Sequence, residues 1–337
     1  MTRVSAGIIR REDGQVLICR RGEGRMNAHL WEFPGGKQEA GEDAAACLAR
    51  ELQEELRLSV DGIRPAFSEE KQGMTFDFLT CRAQGEPVPG EHEAVTWVRP
   101  REMLRYRFCP ADTDAARRMA LNDPPLRAFL WDFDGTLMDT YPAMVRVFLQ
   151  AAARLGLPVT AEHALALMMN SLGHCIRTVA AEGGVTEDAL RAAYDEEAQS
   201  IRLDEVRPMP GIPEALRALK ARGGRHFLVT HRNDQAWDFL RAAGLAELFD
   251  GGVTGSARLP RKPAPDMVLR ALAEGGVAAE EAVMIGDRPL DTEAGRRAGI
   301  LSCMMDTSGR FPEDGAELYC RDAWALPGLL CPEGLQL

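Results

Sequence analysis

Two stretches of this 337-residue chain carry side chains suited to phosphorus chemistry. The first is Gly36-x5-Glu42-x7-Arg50-Glu51-Leu52-x-Glu54-Glu55-x-Arg57-Leu58. On a helix, residues three and four apart share a face, so Glu51, Glu54 and Glu55 stand together. Bare, such a face repels itself. Around Mg²⁺ or Mn²⁺ it becomes an oxygen-rich hard-cation site. Arg50 precedes Glu54 by four and orients that carboxylate through an ion pair. Gly35 and Gly36 let backbone oxygen approach the ion closely. A cation held there neutralises a polyphosphate and activates water for attack on phosphorus. Glu-x-x-Glu-Glu alone is usually a solvated acidic face; the full spacing argues for chemistry.

The second stretch is Trp131-Asp132-Phe133-Asp134-Gly135-Thr136-Leu137, which follows the apolar run Ala128 to Trp131. In an open α/β sheet, chemistry sits beyond the carboxyl ends of the strands. A carboxylate there attacks phosphorus and forms an aspartyl-phosphate. A second carboxylate two residues on protonates the leaving oxygen and then deprotonates water. Gly135 lets the chain turn sharply. Three further strand ends supply the rest: Thr230 offers a hydroxyl, Lys262 a cation for the charge developing on phosphorus, and Asp287 and Asp291 carboxylates for Mg²⁺.

The elements that must position these groups fall into two rhythms. Residues 1–121 read as an α+β unit, with a hairpin of strands Val4 to Ile9 and Val16 to Cys19 around Asp13-Gly14. A breaker cluster follows at Phe33-Pro34-Gly35-Gly36, then a helix from Ala44 to Leu56. Strands around Thr75 to Cys81 and Val95 to Val98, and a helix from Asp112 to Ala120, complete the unit. Residues 122–126, with two prolines, form a linker. In 127–337 short apolar strands (128–131, 226–229, 282–285) alternate with helical stretches, which predicts a doubly wound parallel sheet. A helical insertion at about 142–206 forms a cap.

Composition is that of folded protein, 45% hydrophobic and 27% charged. With 40 basic against 51 acidic residues the net charge is −11, which argues against a nucleic-acid or anionic-membrane binder. Small phosphorylated substrates remain open, since a bound cation reverses the local sign. Eight scattered cysteines without a Cys-x-x-Cys pair predict reduced thiols. The first residues lack a signal-peptide pattern, and no apolar run approaches the roughly 20 residues that span a bilayer. A cytoplasmic location is expected. Oligomeric state is not legible.

The first motif resembles the box of the Nudix hydrolases, with Arg57 where that family usually has Gly. That position closes the helix in a left-handed conformation, so a stability cost is expected there. Cys19-Arg-Arg and Trp31-Glu-Phe-Pro-Gly-Gly-Lys are similar to the MutT branch, which cleaves nucleoside triphosphates to monophosphates and pyrophosphate. The resemblance implies Gly36, Glu51, Glu54 and Glu55 as metal site, Arg21 as a phosphate contact and Glu91 as a further metal-binding or basic carboxylate. Phe108-Cys-Pro-Ala-Asp112 matches a base-reading element of that branch; Asp112 is also well suited to cap a helix.

The second set resembles the haloacid dehalogenase superfamily over about residues 127 to 330, with its four motifs present. The resemblance implies Asp132 as nucleophile and Asp134 as general acid/base. It also implies Mg²⁺ on Asp132, Asp134 and Asp287 supported by Asp291, the transferring group on Thr230 and Lys262, and Gly135 and Thr136 beside the substrate. Asp134 favours a phosphatase or phosphomutase over a dehalogenase. Pro208-Met-Pro210-Gly211 and the insertion resemble the phosphoglycolate-phosphatase-like branch, with Asn170 to His174 as a cap loop facing the site. His174, His231, Arg232 and Asn233 are taken as structural neighbours. The expectation is a bifunctional hydrolase, in which a triphosphate becomes a monophosphate and then a nucleoside. The alternatives are a phosphomutase in the second domain or a non-catalytic nucleotide sensor in one of them.

Overall fold

The computed structural model describes residues 2–71, 73–311 and 315–332. The chain divides into two units. One reaches Pro125 and includes the chain from Leu330 onward; the other is Leu126–Leu329.

In the first unit the order is β1 (Thr2–Ile9), β2 (Val16–Arg21), β3 (Trp31–Glu32), β4 (Gly35–Lys37), α1 (Ala44–Leu56), β5 (Ser59–Lys71), β6 (Met74–Gln84), β7 (His92–Val98) and α2 (Thr113–Asn122). A mixed sheet has the order β4-β1-β6-β5, and a second sheet the order β3-β2-β7. The expected hairpin is therefore corrected. β1 runs parallel to β6, β2 pairs with β3 and β7, and only a bridge from Arg10 to Val16 joins the two strands. The reason is burial: the last five residues of β1 are all buried, so this strand is internal. Ile8 faces an aromatic cluster with Phe33, Phe78 and Phe108, and Ile9 faces the Leu48, Leu52 and Leu56 stripe of α1. The glycines after Phe33 are strand as well as breaker, since Gly35 to Lys37 pair with Val4 to Ala6.

α1 spans the expected residues. Asp43 caps it by accepting from the Ala46 amide at 2.8 Å. Leucines every fourth residue bury one face, which turns the glutamates outward. The helix closes at Arg57 with φ 55°, the left-handed conformation expected there.

The second unit runs β8 (Ala128–Trp131), β9 (Met138–Asp139), α3 (Tyr141–Arg154), α4 (Ala161–Met168), α5 (Leu172–Gly183), α6 (Glu187–Ala198), β10 (Arg207–Pro208), α7 (Ile212–Ala221), β11 (Arg225–Val229), α8 (Gln235–Ala242), β12 (Phe249–Val253), α9 (Asp266–Gly275), β13 (Ala282–Gly286), α10 (Pro289–Arg297), β14 (Leu301–Met305) and β15 (Leu318–Cys320). Its six-stranded sheet, ordered β12-β11-β8-β13-β14-β15, is parallel throughout. The chain steps outward from β8 to β12, then returns to the other side of β8 at β13. The carboxyl ends of β8 and β13 thus flank a topological switch point, where such sheets open a crevice. Helices α3 to α6 form the insertion. Cys19, Cys47, Cys81, Cys109, Cys175 and Cys320 are free thiols, and among the described residues no helix is long and apolar enough to cross a membrane.

Candidate active sites

In the first unit a cleft of about 620 Å³ is lined by Arg21, Glu32, Gly36, Glu51, Glu55, Glu91, His92 and Asp112, among others. Gly36 lies against the Glu51 carboxylate so closely that a Cβ there would sit 2.3 Å from it. Arg50 gathers the acids behind this face, reaching Glu42 at 3.0 Å, Glu51 at 2.9 Å and Glu54 at 3.2 Å. Glu55 is half enclosed, and burial, opposed by His92, pushes its carboxyl up to about 7. Its Oε2 is buried with no hydrogen-bond partner. Arg21 pairs with Glu32, and Arg25 with Glu91. Asp112 is 7% exposed, and burial followed by the charge of Glu32 pushes its carboxyl up to about 8. It accepts from the Phe33 amide at 3.3 Å and makes no side-chain cap to α2, which corrects the capping expectation.

In the second unit Asp132 follows β8, Thr230 follows β11 and Asp287 follows β13. The Lys262 ammonium lies 2.7 Å from Asp132 and 2.6 Å from Asp291, and donates to the Val229 carbonyl at 2.8 Å. Arg288 reaches the other Asp132 oxygen at 3.1 Å. Burial would raise the Asp132 carboxyl, but Lys262 and Arg288 hold it below its ordinary value. Burial pushes Asp287 up, against the pull of Arg288. Asp287 accepts from Tyr141 Oη at 2.9 Å and from Thr136 Oγ1 at 3.3 Å. Gly135 has φ 78°, and a Cβ there would meet Asp287 at 2.3 Å. Asp134 is held by Arg232 at 2.7 Å, whose guanidinium lies over Phe133 and Phe239. One oxygen from each of Asp132, Asp287 and Asp291 lies within 4.8 Å of the others.

Comparison with known proteins decides the family. Residues 1–119 match the NUDIX domain, and residues 129–305 match the haloacid dehalogenase-like hydrolases. The chain joins these two hydrolase families. Its Nudix domain is 36% identical to a CTP pyrophosphohydrolase of Escherichia coli (strain K12), a match covering 33% of this chain and 86% of that protein. Its haloacid dehalogenase-like domain is 30% identical to a phosphoglycolate phosphatase of Nitrosospira multiformis, covering 52% of this chain and 81% of that protein. The crystal structure of a putative haloacid dehalogenase-like hydrolase from Bacteroides fragilis shares its fold, with TM-score 0.54 at 23% identity over 60% of this chain and 99% of that one. The protein is a bifunctional hydrolase.

Of the Nudix residues singled out in the sequence, the cleft gathers Arg21, Gly36, Glu51, Glu55, Glu91 and Asp112. Glu54 is absent from its lining; that side chain is 61% exposed and turned to Arg50. Sequence reasoning missed Glu32 and His92, although Glu32 stands directly before the Phe33-Pro34-Gly35-Gly36 run. In the haloacid dehalogenase-like domain Asp132, Lys262, Asp287 and Asp291 converge, with Thr136 on Asp287 and Asp134 beside them in sequence. The Thr230 hydroxyl accepts from the Arg232 amide at 3.1 Å. Arg288 and Tyr141 were missed: Arg288 lay inside a motif read only for its carboxylates, and nothing local marked Tyr141.

Proposed function

We propose that the Nudix domain cleaves a nucleoside triphosphate or related diphosphate derivative to a monophosphate and pyrophosphate, and that the second domain hydrolyses a phosphomonoester through an aspartyl-phosphate. The observation that carries this reading is the buried Asp132, gripped by Lys262 and flanked by Asp287 and Asp291 at the switch point of the sheet.

Both sites suit a hard divalent cation, Mg²⁺ or Mn²⁺. In the second domain three buried carboxylates face only two buried cations, Lys262 and Arg288, so one negative charge is left over. In the Nudix cleft Glu55 Oε2 is buried without a hydrogen-bond partner, and Gly36 and the Glu51 carboxylate stand close to each other, an oxygen set that suits a hard cation. Asp132, the Asp134 carbonyl and Asp287 would hold the ion in one site, with Asp291 behind them. Gly36, Glu51, Glu54, Glu55 and Glu91 would hold it in the other. When bound, such an ion offsets phosphate charge and acidifies water.

In the second domain Asp132 attacks phosphorus while the bond to the leaving oxygen breaks. Asp134 gives that oxygen a proton, then takes one from the water that splits the aspartyl-phosphate. Lys262 and the Thr230 hydroxyl hold the transferring group, and the Gly135–Thr136 turn bounds its pocket. In the Nudix domain Arg21 meets the polyphosphate. Asp112, protonated at neutral pH, offers a hydrogen-bond donor to the base.

Fusion of the two activities favours a sequence in which the monophosphate passes to the second domain. The test is one tube of full-length protein, Mg²⁺ and a panel of ordinary and oxidised nucleoside triphosphates, with pyrophosphate, phosphate and nucleotide followed together. Monophosphate going on to nucleoside supports the sequence. Pyrophosphate with persistent monophosphate leaves two separate hydrolases. Sugar-phosphate isomerisation without free phosphate would make the second domain a phosphomutase.

A further inference from the structure

Both oxygens of Asp132 are taken, Oδ1 by Lys262 and Oδ2 by Arg288. Asp134 is held differently. Arg232 grips it through one oxygen, with Nη2 at 2.7 Å and Nε at 3.2 Å from the same Oδ1. The other oxygen, Oδ2, has no hydrogen-bond partner among the described residues. Each side chain is only 16% exposed, so this is not a solvated surface pair of little consequence.

Arg232 is itself fixed from several sides. It lies in the loop after β11, where its amide donates to Thr230 Oγ1 at 3.1 Å. Its carbonyl accepts from the Gly255 amide at 2.7 Å. That approach needs glycine, since a Cβ at residue 255 would sit 2.4 Å from the His231 carbonyl oxygen. The guanidinium carbon stands 5.4 Å from the ring centroid of Phe133 and 5.6 Å from that of Phe239, and both rings are buried. The negative faces of such rings attract a cation. Segments distant in sequence thus converge to hold one guanidinium against one carboxylate oxygen.

We infer that Arg232 is the positioning residue of the proton donor: it anchors Asp134 by Oδ1 and leaves Oδ2 as the atom that carries the proton. This rests on the aspartyl-phosphate reading of the domain. A guanidinium has donors only and keeps its protons, so two N–H groups aimed at Oδ1 leave no place for a proton there. In the first step the Oδ2–H bond breaks, the leaving oxygen gains the proton, and the electron pair stays on Oδ2. In the second, water gives a proton to Oδ2 as its oxygen bonds to phosphorus and the bond from phosphorus to Asp132 breaks. Arg232 neither gives nor takes a proton.

The test compares kcat/KM of full-length protein with Mg²⁺ for p-nitrophenyl, phenyl and benzyl phosphate. This ratio reports the steps up to departure of the leaving group. p-Nitrophenolate leaves as a stable anion without a proton, whereas the benzyl alkoxide needs one. Arg232→Met keeps an apolar stem over the two rings and removes the grip. Its kcat/KM should fall about 100-fold for benzyl phosphate and about 3-fold or less for p-nitrophenyl phosphate, with phenyl phosphate between them. Asp134→Asn should show the same graded loss. Adding Arg232→Met to it should cost about 3-fold or less again, because the two residues act as one unit. Arg232→Lys, which keeps the charge but offers a single point of grip, should recover part of the benzyl rate. Thermal melting checks folding, and the Lys variant carries the comparison if the Met variant melts below the assay temperature. An equal loss on all three esters overturns the inference and makes Arg232 a structural residue or a phosphate contact. Undiminished benzyl phosphate turnover overturns it as well. Wild-type protein inert toward all three esters would end the phosphatase reading and the inference with it. An ungraded loss in Asp134→Asn would remove that residue as proton donor, and Arg232 as its anchor.

Discussion

The Lys262 ammonium stands 2.7 Å from the Asp132 carboxylate, although 130 residues separate them and both side chains are almost wholly shielded from water. Such a pair is costly to break from one side, because the partner left behind is a buried, uncompensated charge. Lys262 touches Asp291 as well, so its loss would leave two carboxylates facing each other.

Lys262→Met should therefore lower the stability of the second domain by about 3–5 kcal/mol and end phosphate release. Urea unfolding followed beside p-nitrophenyl phosphate turnover reads both effects. A variant of unchanged stability would show that the ion pair is not formed in solution.

The two activities should be separable. Asp132→Asn removes the attacking oxygen's charge and should stop phosphomonoester hydrolysis while pyrophosphate release continues. Glu51→Gln or Glu54→Gln should do the reverse. Because α1 turns Glu54 out toward Arg50, its substitution discriminates more sharply: full activity in Glu54→Gln would remove that residue from the metal set.

Chelation should silence both domains together. Dialysis against EDTA followed by titration with Mg²⁺ should restore pyrophosphate and phosphate release. Persistence of either activity in EDTA would exclude a divalent ion from that site.

Asp112 links stability to pH. Its carboxyl stands at about 8 in the folded protein, against an ordinary 3.8, because it is buried beside Glu32. The folded state therefore keeps a proton that the unfolded state gives up. This stabilising contribution is complete below about pH 3.8 and is lost as pH rises through about 8. Asp112→Asn, which cannot ionise, should flatten the fall in Nudix-domain stability between these limits. Parallel unfolding curves for the two proteins across that range would contradict the assignment.

Arg57 closes α1 with φ 55°, where a residue bearing a Cβ is strained and glycine is not. Arg57→Gly should stabilise the Nudix domain by about 1 kcal/mol, with no change in turnover. Chemical denaturation midpoints measure it.

What the sequence could reveal follows from how local each signal is. α1 was legible because its run of Ala, Leu, Arg and Glu and the left-handed close at Arg57 lie within one short segment. β8 and β13 were legible because parallel strands buried on both faces are nearly unbroken apolar runs, and β11 by its Phe227 to Val229 run. β5 was not, since Ser59 to Lys71 carries Pro, Gly and charged residues and buries little. The hairpin failed because adjacency in sequence does not specify pairing, and β1 found its partner in β6. Within the sites, acids and lysines announced themselves by motif. Tyr141, Glu32 and His92 act only through residues brought near by folding.

β8 is hydrogen-bonded along both edges, to β11 and to β13, and the Asp132 amide extends the ladder by donating to Ile285 at 2.9 Å. Such amides exchange with solvent only when the whole sheet opens, whereas loops open at far lower cost. Asp132, the proposed nucleophile, thus follows directly on a strand paired along both edges. Lys262 sits on a loop ahead of α9 and Asp134 on a turn. Mild heating is therefore expected to fray those segments first, so that phosphate release is lost while the strand keeps its place and returns on cooling without refolding.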